Sequence, residues 1–451
     1  MTIQASRPLR RILGLGFGLA LVFGSTIGVG ILSLPGLVAG ILGGRGLIIG
    51  FWVFGAVYAL MGAAAIAELA SMIPETGGFR VYARRALGDR IGFAVGWCDW
   101  LMAVAALAYV AVAAVAFLGI LWPGAADHPH VAAAVMIAGF TGIHSLGLRI
   151  GSSLTAIISL AIGILLAVLI IGCFFAAPAV GATPPAPGTA ASMPWMSRAA
   201  AFAVVPALRA ILTAYDGWYA PIYMAEENTD PVRTVPRAII GGALLVAVLY
   251  LLINLAFVRV LPLPVLAASK LPAADAARIV LPRGGAELVT ILSIFMMLSL
   301  FNNVLLMAPR VLFAIGRDGL ITPKVALVSK GGTPRIALFF TSAFTIVVIL
   351  TGTFEQIISL NALLFLLLYI SGFLAVFILR FREPALPRPY KAFGYPISTA
   401  LVLIGSVVFF LAAVAQDLRS ALIAAALLSA CVPVYAWAER GRRLRAGISV
   451  A

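Results

Sequence analysis

Residues 153 to 177 run for 25 positions without a single charged side chain. Wound into a helix at about 1.5 Å per residue, a run of that length exceeds the ~30 Å hydrocarbon core of a bilayer. Similar apolar runs recur from residue 12 to residue 437, separated by short polar breaks. A bilayer offers no water to backbone N–H and C=O groups, so each run has to satisfy them internally as a helix. Composition agrees: 63% of the 451 residues are hydrophobic and 10% charged, where a soluble domain carries roughly a quarter charged residues. The sequence therefore predicts an all-α integral membrane protein embedded in a lipid bilayer.

Twelve spans are expected, near 12–42, 47–72, 91–122, 131–149, 153–177, 199–226, 237–261, 285–314, 335–352, 355–381, 396–416 and 419–437. They group as a cytoplasmic tail (1–11), a first five-helix repeat (12–177), an extracellular linker (178–198), a second five-helix repeat (199–381), helices 11 and 12 (396–437) and a cytoplasmic tail (438–451). With the N-terminus inside, 23 of the 31 basic residues fall in cytoplasmic loops and 6 outside. The positive-inside rule thus places both termini in the cytoplasm of a multi-pass plasma-membrane protein, the inner membrane if the cell is bacterial. Arg7, Arg10 and Arg11 precede the first apolar run as in a signal peptide, but no cleavage signal follows, so an uncleaved first span is expected.

The net charge of +15 calls for no nucleic-acid partner, because the charges sit in loops between spans. Cys98, Cys173 and Cys431 lie in apolar runs at unrelated spacings, and the three histidines are scattered, so neither a metal site nor a disulfide framework is expected. No P-loop pattern occurs and no cofactor is called for. No convergent nucleophile or metal set stands at membrane depth, which argues against an enzyme.

Two interruptions carry the functional signal. The first, Gly24-Ser25-Thr26-Ile27-Gly28-Val29-Gly30, puts three glycines into seven positions of the first run. Each glycine forgoes about 1 kcal/mol of helix propensity relative to alanine. The second, Thr213-Ala214-Tyr215-Asp216-Gly217-Trp218-Tyr219-Ala220-Pro221, introduces a carboxylate, a glycine and a proline into the sixth. If five-span units repeat, these runs are equivalents and the second unit is inserted upside down. Paired interruptions in the two halves of a transporter point to a binding site near the midplane. Past the first break, the amides of Gly28, Val29 and Gly30 face an anion with the positive end of a helix dipole behind them. At the helix ends facing the breaks, carbonyls of Thr26, Thr213 and Asp216 can accept from an ammonium group. Donors for a carboxylate beside acceptors for an amine describe an amino acid. The plainer readings are a Gly-x-x-x-Gly packing stripe at Gly24 and Gly28, Asp216 as N-cap of the resumed half-helix, and Trp218 and Tyr219 as packing aromatics.

At these residues the chain resembles the amino acid-polyamine-organocation transporter superfamily, and within it the L-type and bacterial amino acid exchangers. The resemblance rests on Gly24 to Gly30 followed by Leu34-Pro35, on Tyr215-Asp216-Gly217-Trp218 with Glu226-Glu227, Pro231, Arg233, Pro236 and Arg237-Ala238-Ile239, on Glu68-Leu69 with Pro74, Gly77-Gly78 and Tyr82, and on Arg310 with Gly316-Arg317-Asp318-Gly319-Leu320. It implies a five-plus-five inverted repeat with broken helices 1 and 6 and two extra C-terminal helices. It also implies a substrate site at Thr26, Gly28, Val29, Gly30, Thr213, Tyr215, Asp216, Gly217 and Trp218. In several relatives a bulky aromatic stands at the position of Thr213 and covers the substrate; here Tyr215 or Trp218 is the candidate substitute.

Some proton-linked relatives carry a lysine in the fifth span, and this chain has none between Ser152 and Leu160, with Ser159 in the approximate place. Exchange is therefore preferred over proton coupling, although Asp216 or Glu68 remain candidate proton carriers. Ser159 with Ser293 or Ser299 is a candidate sodium-holding set, set against interhelical hydrogen bonding. Glu226 and Glu227 at a helix C-terminus need basic partners, for which Arg233, Arg237 and the Arg80 to Arg90 loop are the candidates; such pairs would gate the cytoplasmic side. Arg209, costly at bilayer depth, is a candidate for the substrate path. The resulting expectation is secondary active transport of small neutral amino acids by alternating access. Proton-coupled transport of amino acids or polyamines is the alternative, and a channel the reading from another class.

Overall fold

In the computed structural model, residues 8–125, 127–177, 204–351 and 354–445 are described. Among them no strand forms, apart from one isolated parallel bridge between Leu13 and Asn228. The expected linker, 178–198, and the start of the sixth run lie outside the described residues.

The first half contains α1 (Leu15–Thr26), α2 (Gly30–Leu42), α3 (Arg45–Met72), α4 (Phe79–Leu87), α5 (Asp89–Leu121), α6 (Pro129–Leu146) and α7 (Leu148–Phe175). The second contains α8 (Val205–Ala214), a 3₁₀ segment (Ala220–Glu227), α9 (Pro231–Val260), two short helices α10 (Leu263–Ala268) and α11 (Pro272–Val280), α12 (Gly285–Arg317), α13 (Arg335–Thr351) and α14 (Phe354–Arg382). Then follow α15 (Ile397–Gln416), α16 (Leu418–Ser429) and α17 (Cys431–Arg445). After the broken element, the long helices of the two halves match in order and length: 28, 33, 18 and 28 residues in the first, 30, 33, 17 and 29 in the second. The short inserts alternate too, with α4 preceding the 33-residue helix in one half and α10 and α11 preceding it in the other.

Nine helices of the described residues, and a tenth span if α1 and α2 are taken together, are long and apolar enough to cross a membrane. Reaching the expected twelve requires α8 with its 3₁₀ continuation and the 17-residue α13 to cross as well. Local signals set the ends: Gly43 closes α2 in the left-handed region at φ 65°, and Asp230 accepts the Arg233 amide to start α9, with Pro231 at its first position. Three helices fall in segments read as loops from sequence: α4, α10 and α11. The last span, expected as one run, is α16 and α17 joined at Ala430.

The centre of the bundle is α12, the most enclosed span, packed along α5; α3 lies along α9 in the same way. Trp52 is buried at the seam of α3 with α9, and Trp100 where α5 meets α13. On α7, Ile157, Leu160, Ile164 and Ile171 point outward as the apolar surface a bilayer covers. One further connection is mostly main-chain, with the Thr229 hydroxyl also donating to the Leu13 carbonyl at 3.3 Å. The amides of Ile12 and Leu13 donate to the Glu227 carbonyl at 3.0 and 2.9 Å, and the Thr229 amide returns to the Leu13 carbonyl at 3.0 Å, tying the entry of the first broken element to the exit of the second.

Candidate functional site

The first element breaks between Thr26 and Gly30, and its two halves are bent by 47°. The second half opens with tight turns, Ile31 N–H to the Gly28 carbonyl at 3.4 Å and Leu32 N–H to the Val29 carbonyl at 3.0 Å. The amides ahead of these bonds, at Val29 and Gly30, stand at the start of a helix where no intrahelical acceptor exists. Gly24 serves packing, since a β-carbon there would lie 2.2 Å from Ser299 Oγ and 2.9 Å from Ser159 Oγ. Ser159 donates to the Ala20 carbonyl at 2.9 Å and Ser293 to Val289 within its own helix at 2.8 Å, so both serines act as hydrogen-bonding links here.

The second element stops at Ala214, turns through residues 215–219 and resumes as a 3₁₀ segment instead of the α-helical half expected. Asp216 does not cap it: the segment is preceded by Tyr219 with no side-chain capping bond, and Asp216 Oδ1 accepts from the Tyr369 hydroxyl instead. Asp216 thus ties the break to α14.

The two breaks touch. Gly217, at φ +117°, lies so near the first break that a β-carbon would sit 2.4 Å from the Ser25 carbonyl oxygen and 3.0 Å from Thr26 Cα. Only glycine meets both conditions, the left-handed φ and the missing side chain. Tyr250 of α9 spans the junction, its hydroxyl 3.0 Å from the Thr26 carbonyl and 3.1 Å from the Ala214 carbonyl. A hydroxyl has one proton to share between them. Two of the expected ammonium acceptors are thus already engaged once, Thr26 by Tyr250 and Thr213 by the Asp216 amide at 3.3 Å, each keeping a second lone pair. The Thr26 hydroxyl is buried without a partner.

The breaks form the wall of a cavity of about 940 Å³ lined by Thr26, Gly28, Val29, Gly30, Thr213, Tyr215, Asp216, Gly217 and Trp218, near the upper end of the ~300–1,000 Å³ usual for small-molecule sites. Apolar lining comes from α5 (Met102, Ala106), α12 (Met297, Leu300) and α14 (Phe365), beside the polar Asp99 and Asn361. Trp218 stacks on Tyr369, with ring centroids 5.4 Å apart and planes 11° apart. Tyr215 instead turns into the protein, donating to the Trp52 carbonyl at 3.2 Å between the rings of Trp52 and Tyr250. Both candidate covers line the cavity, and Trp218 is the one stacked on Tyr369 of α14. From the breaks the cavity extends past Leu37 and Phe117 to Val205 and Arg209, where Arg209 is exposed and bonds Gln416 at 2.5 Å.

At the other end, which carries Leu13 and α4, the bundle is shut by ion pairs. Arg310 grips Glu227 with two bonds of 2.6 and 2.8 Å, both side chains almost wholly buried. Arg317 pairs with Glu226 at 2.6 Å, Arg80 and Arg84 with Asp318, and Arg380 with Glu68 through two bonds of 2.8 and 2.6 Å. The partners expected for Glu226 and Glu227 are corrected here. Arg233 is exposed and uses its amide to close the Asp230 cap, and the Arg80 loop turns to Asp318. Arg233 is near in sequence, but the two arginines of α12 reach the glutamates across the bundle. Glu68 also accepts the Ala392 amide at 2.7 Å, so the structure presents it as an anchor of the α14–α15 loop.

Sequence reasoning omits Asp99, whose signal was available as the one carboxylate inside the apolar α5 run. It lies at the cavity floor, and Oδ1 accepts from the Tyr223 hydroxyl at 2.7 Å.

The family model described as "Amino acid permease" matches residues 18–432. Among similar proteins, the serine/threonine exchanger SteT of Bacillus subtilis is 26% identical over 432 residues, covering 95% of this chain and 96% of the relative. The branched-chain amino acid permease BcaP of the same organism is 27% identical over 426 residues, 89% and 88% of the two chains. The mouse b(0,+)-type amino acid transporter 1 is 27% identical over 392 residues, 85% and 79%. These are transporters, not enzymes, and the matched region runs from the first broken element into the last span. The chain belongs to the amino acid permease family.

Proposed function

We propose that this chain exchanges small neutral amino acids across the plasma membrane by alternating access, with both termini in the cytoplasm and the spans arranged as two inverted five-helix repeats plus two. The substrate carboxylate is received by the amides of Gly28, Val29 and Gly30, whose half-helix dipole favours an anion. Its ammonium group is received by the free lone pairs of the Thr26, Thr213 and Asp216 carbonyls, with the Thr26 hydroxyl alongside. The apolar surface from α5, α12 and α14 suits a small uncharged side chain, and Trp218 on Tyr369 covers it. With the basic end cytoplasmic, the ion pairs of Glu226, Glu227 and Asp318 close the inside while the Arg209 end faces out; their separation then opens the inside.

One observation supports this reading above the others: the two broken elements meet at Gly217 and Ser25 in the wall of a single cavity. The test is counterflow in proteoliposomes loaded with unlabelled serine, threonine, alanine or leucine. Saturable uptake of labelled substrate, stimulated by a cognate internal amino acid, is expected. Absence of counterflow across the common amino acids, from protein that remains monodisperse, would overturn it.

A further inference from the structure

Asn361 interrupts the apolar lining of the cavity. It lies half-buried on α14, with Ile358 and Phe365 on the neighbouring turns beside it in the wall. Its amide is fixed in place. Nδ2 donates to the Met102 carbonyl of α5 at 2.9 Å. That carbonyl is reachable although helical, because the next turn of α5 offers Ala105 and Ala106 in place of larger side chains. The bond assigns the two ends of the amide, with nitrogen on the α5 carbonyl and oxygen unspent. Oδ1 has no hydrogen-bond partner among the described residues, yet it is not one of the side-chain atoms sealed from solvent without one, as the Thr26 hydroxyl is. It is an acceptor open to the cavity.

The other polar side chains on these walls are largely engaged. On α5, Asp99 takes the Tyr223 hydroxyl and a backbone bond from Phe79. On α14, the Tyr369 hydroxyl goes to Asp216, and on α15 Ser406 donates to the Val402 carbonyl while Gln416 holds Arg209. The lining from α12 is apolar throughout. Two groups remain, Asn361 Oδ1 and the hydroxyl of Tyr109, which lines the cavity from α5 one turn past Ala106. A phenol both donates and accepts, so it suits either kind of ligand group, whereas a carbonyl oxygen only accepts. Asparagines between membrane helices commonly serve as links, and the Met102 bond is such a link. It leaves Oδ1 to water, or to a ligand that brings a donor.

Resting on the exchange reading above, we propose that Asn361 sets which neutral amino acids are carried: Oδ1 accepts a hydrogen bond from the substrate side chain, selecting hydroxyl- and carboxamide-bearing substrates over aliphatic ones of the same size. Apolar contacts cannot make this distinction. Threonine and valine differ by a hydroxyl in place of a methyl, and a pocket without a matching polar group separates such a pair poorly. Oδ1 separates them because valine displaces its water and returns no hydrogen bond.

The test uses full-length protein in proteoliposomes loaded with a mixture of unlabelled neutral amino acids. Half-saturating external concentrations are measured for pairs matched in shape, threonine with valine and glutamine with methionine. The wild type should favour the polar member by about tenfold, the worth of one hydrogen bond. In Asn361→Leu the ratio should fall to about one, through weaker threonine uptake with valine uptake retained, and Asn361→Ala should do the same if leucine disturbs packing. Tyr109→Phe should keep the ratio. A wild type that takes valine as readily as threonine, or a ratio that survives in both Asn361 variants, overturns the proposal and leaves the exchange reading standing. Loss of the ratio in Tyr109→Phe alone, or an equal fall for all substrates in the Asn361 variants, overturns it too, the latter marking a packing role. Absence of counterflow with every amino acid counts against the exchange reading itself. The wild-type pairs can overturn the proposal even if no Asn361 variant folds.

Discussion

Gly217 leaves no room for a side chain against Ser25: a β-carbon would sit 2.4 Å from the serine carbonyl oxygen, at a φ of +117° that only glycine adopts readily. This contact between backbones brings the two interruptions into one wall. Gly217→Ala should therefore cost roughly 1–3 kcal/mol of backbone strain before the clash is counted. Counterflow should fall at least about tenfold in proteoliposomes, with a lowered thermal midpoint.

Tyr250→Phe removes the hydroxyl shared by the Thr26 and Ala214 carbonyls. The expected loss is about 1 kcal/mol. Because Thr26 loses the bond that orients its carbonyl, the half-saturating substrate concentration should rise more than the maximal rate falls. A variant with unchanged kinetics would show that the bridge is dispensable for binding.

Arg310 and Glu227 form a buried, doubly bonded pair, whereas Arg85 and Glu383 form an exposed one. Arg310→Ala leaves Glu227 uncompensated and should destabilise by about 3–5 kcal/mol, read as a large drop in thermal midpoint or loss of expression. Glu227→Gln, which keeps the shape and one acceptor, should change turnover more than affinity. Arg85→Ala should stay within about 1 kcal/mol of wild type. Equal effects at the two sites would contradict the burial argument.

Orientation is open to direct chemistry. With the native cysteines buried, Asp127→Cys in the exposed loop before α6 should react with a membrane-impermeant maleimide in intact cells. Lys324→Cys should react only after permeabilisation. The reverse pattern would place the basic end outside.

Much of this architecture is legible in one sequence because its causes are local. Runs such as 153–177 announce spans through hydropathy alone, and Gly24 to Gly30 announces a break because clustered glycines weaken a continuous helix, although Gly24 itself lies within α1 and serves packing. The helical form past the second break is less legible: Pro221 and Gly217 signal an interruption but do not choose between α and 3₁₀ geometry. Least legible are the long-range pairings. Glu227 precedes Arg310 by 83 residues, so neighbours such as Arg233 look like partners until packing brings α12 across. Asp216 likewise has the spacing of a cap, yet the Tyr369 hydroxyl, 153 residues away, takes its oxygen. Asp99 carries a visible signal, a charge in an apolar run, but its bond to Tyr223, 124 residues away, exists only once the bundle is packed.

The stitches between Ile12–Leu13 and Glu227–Thr229 are three hydrogen bonds between peptide groups, with one more from the Thr229 hydroxyl to the Leu13 carbonyl, so no side-chain replacement short of proline removes them all. The bases of the two discontinuous elements are thereby made into one mechanical piece. Whatever moves at that end of the bundle, these roots move jointly, and an alanine scan of the region leaves most of the linkage that makes them do so untouched.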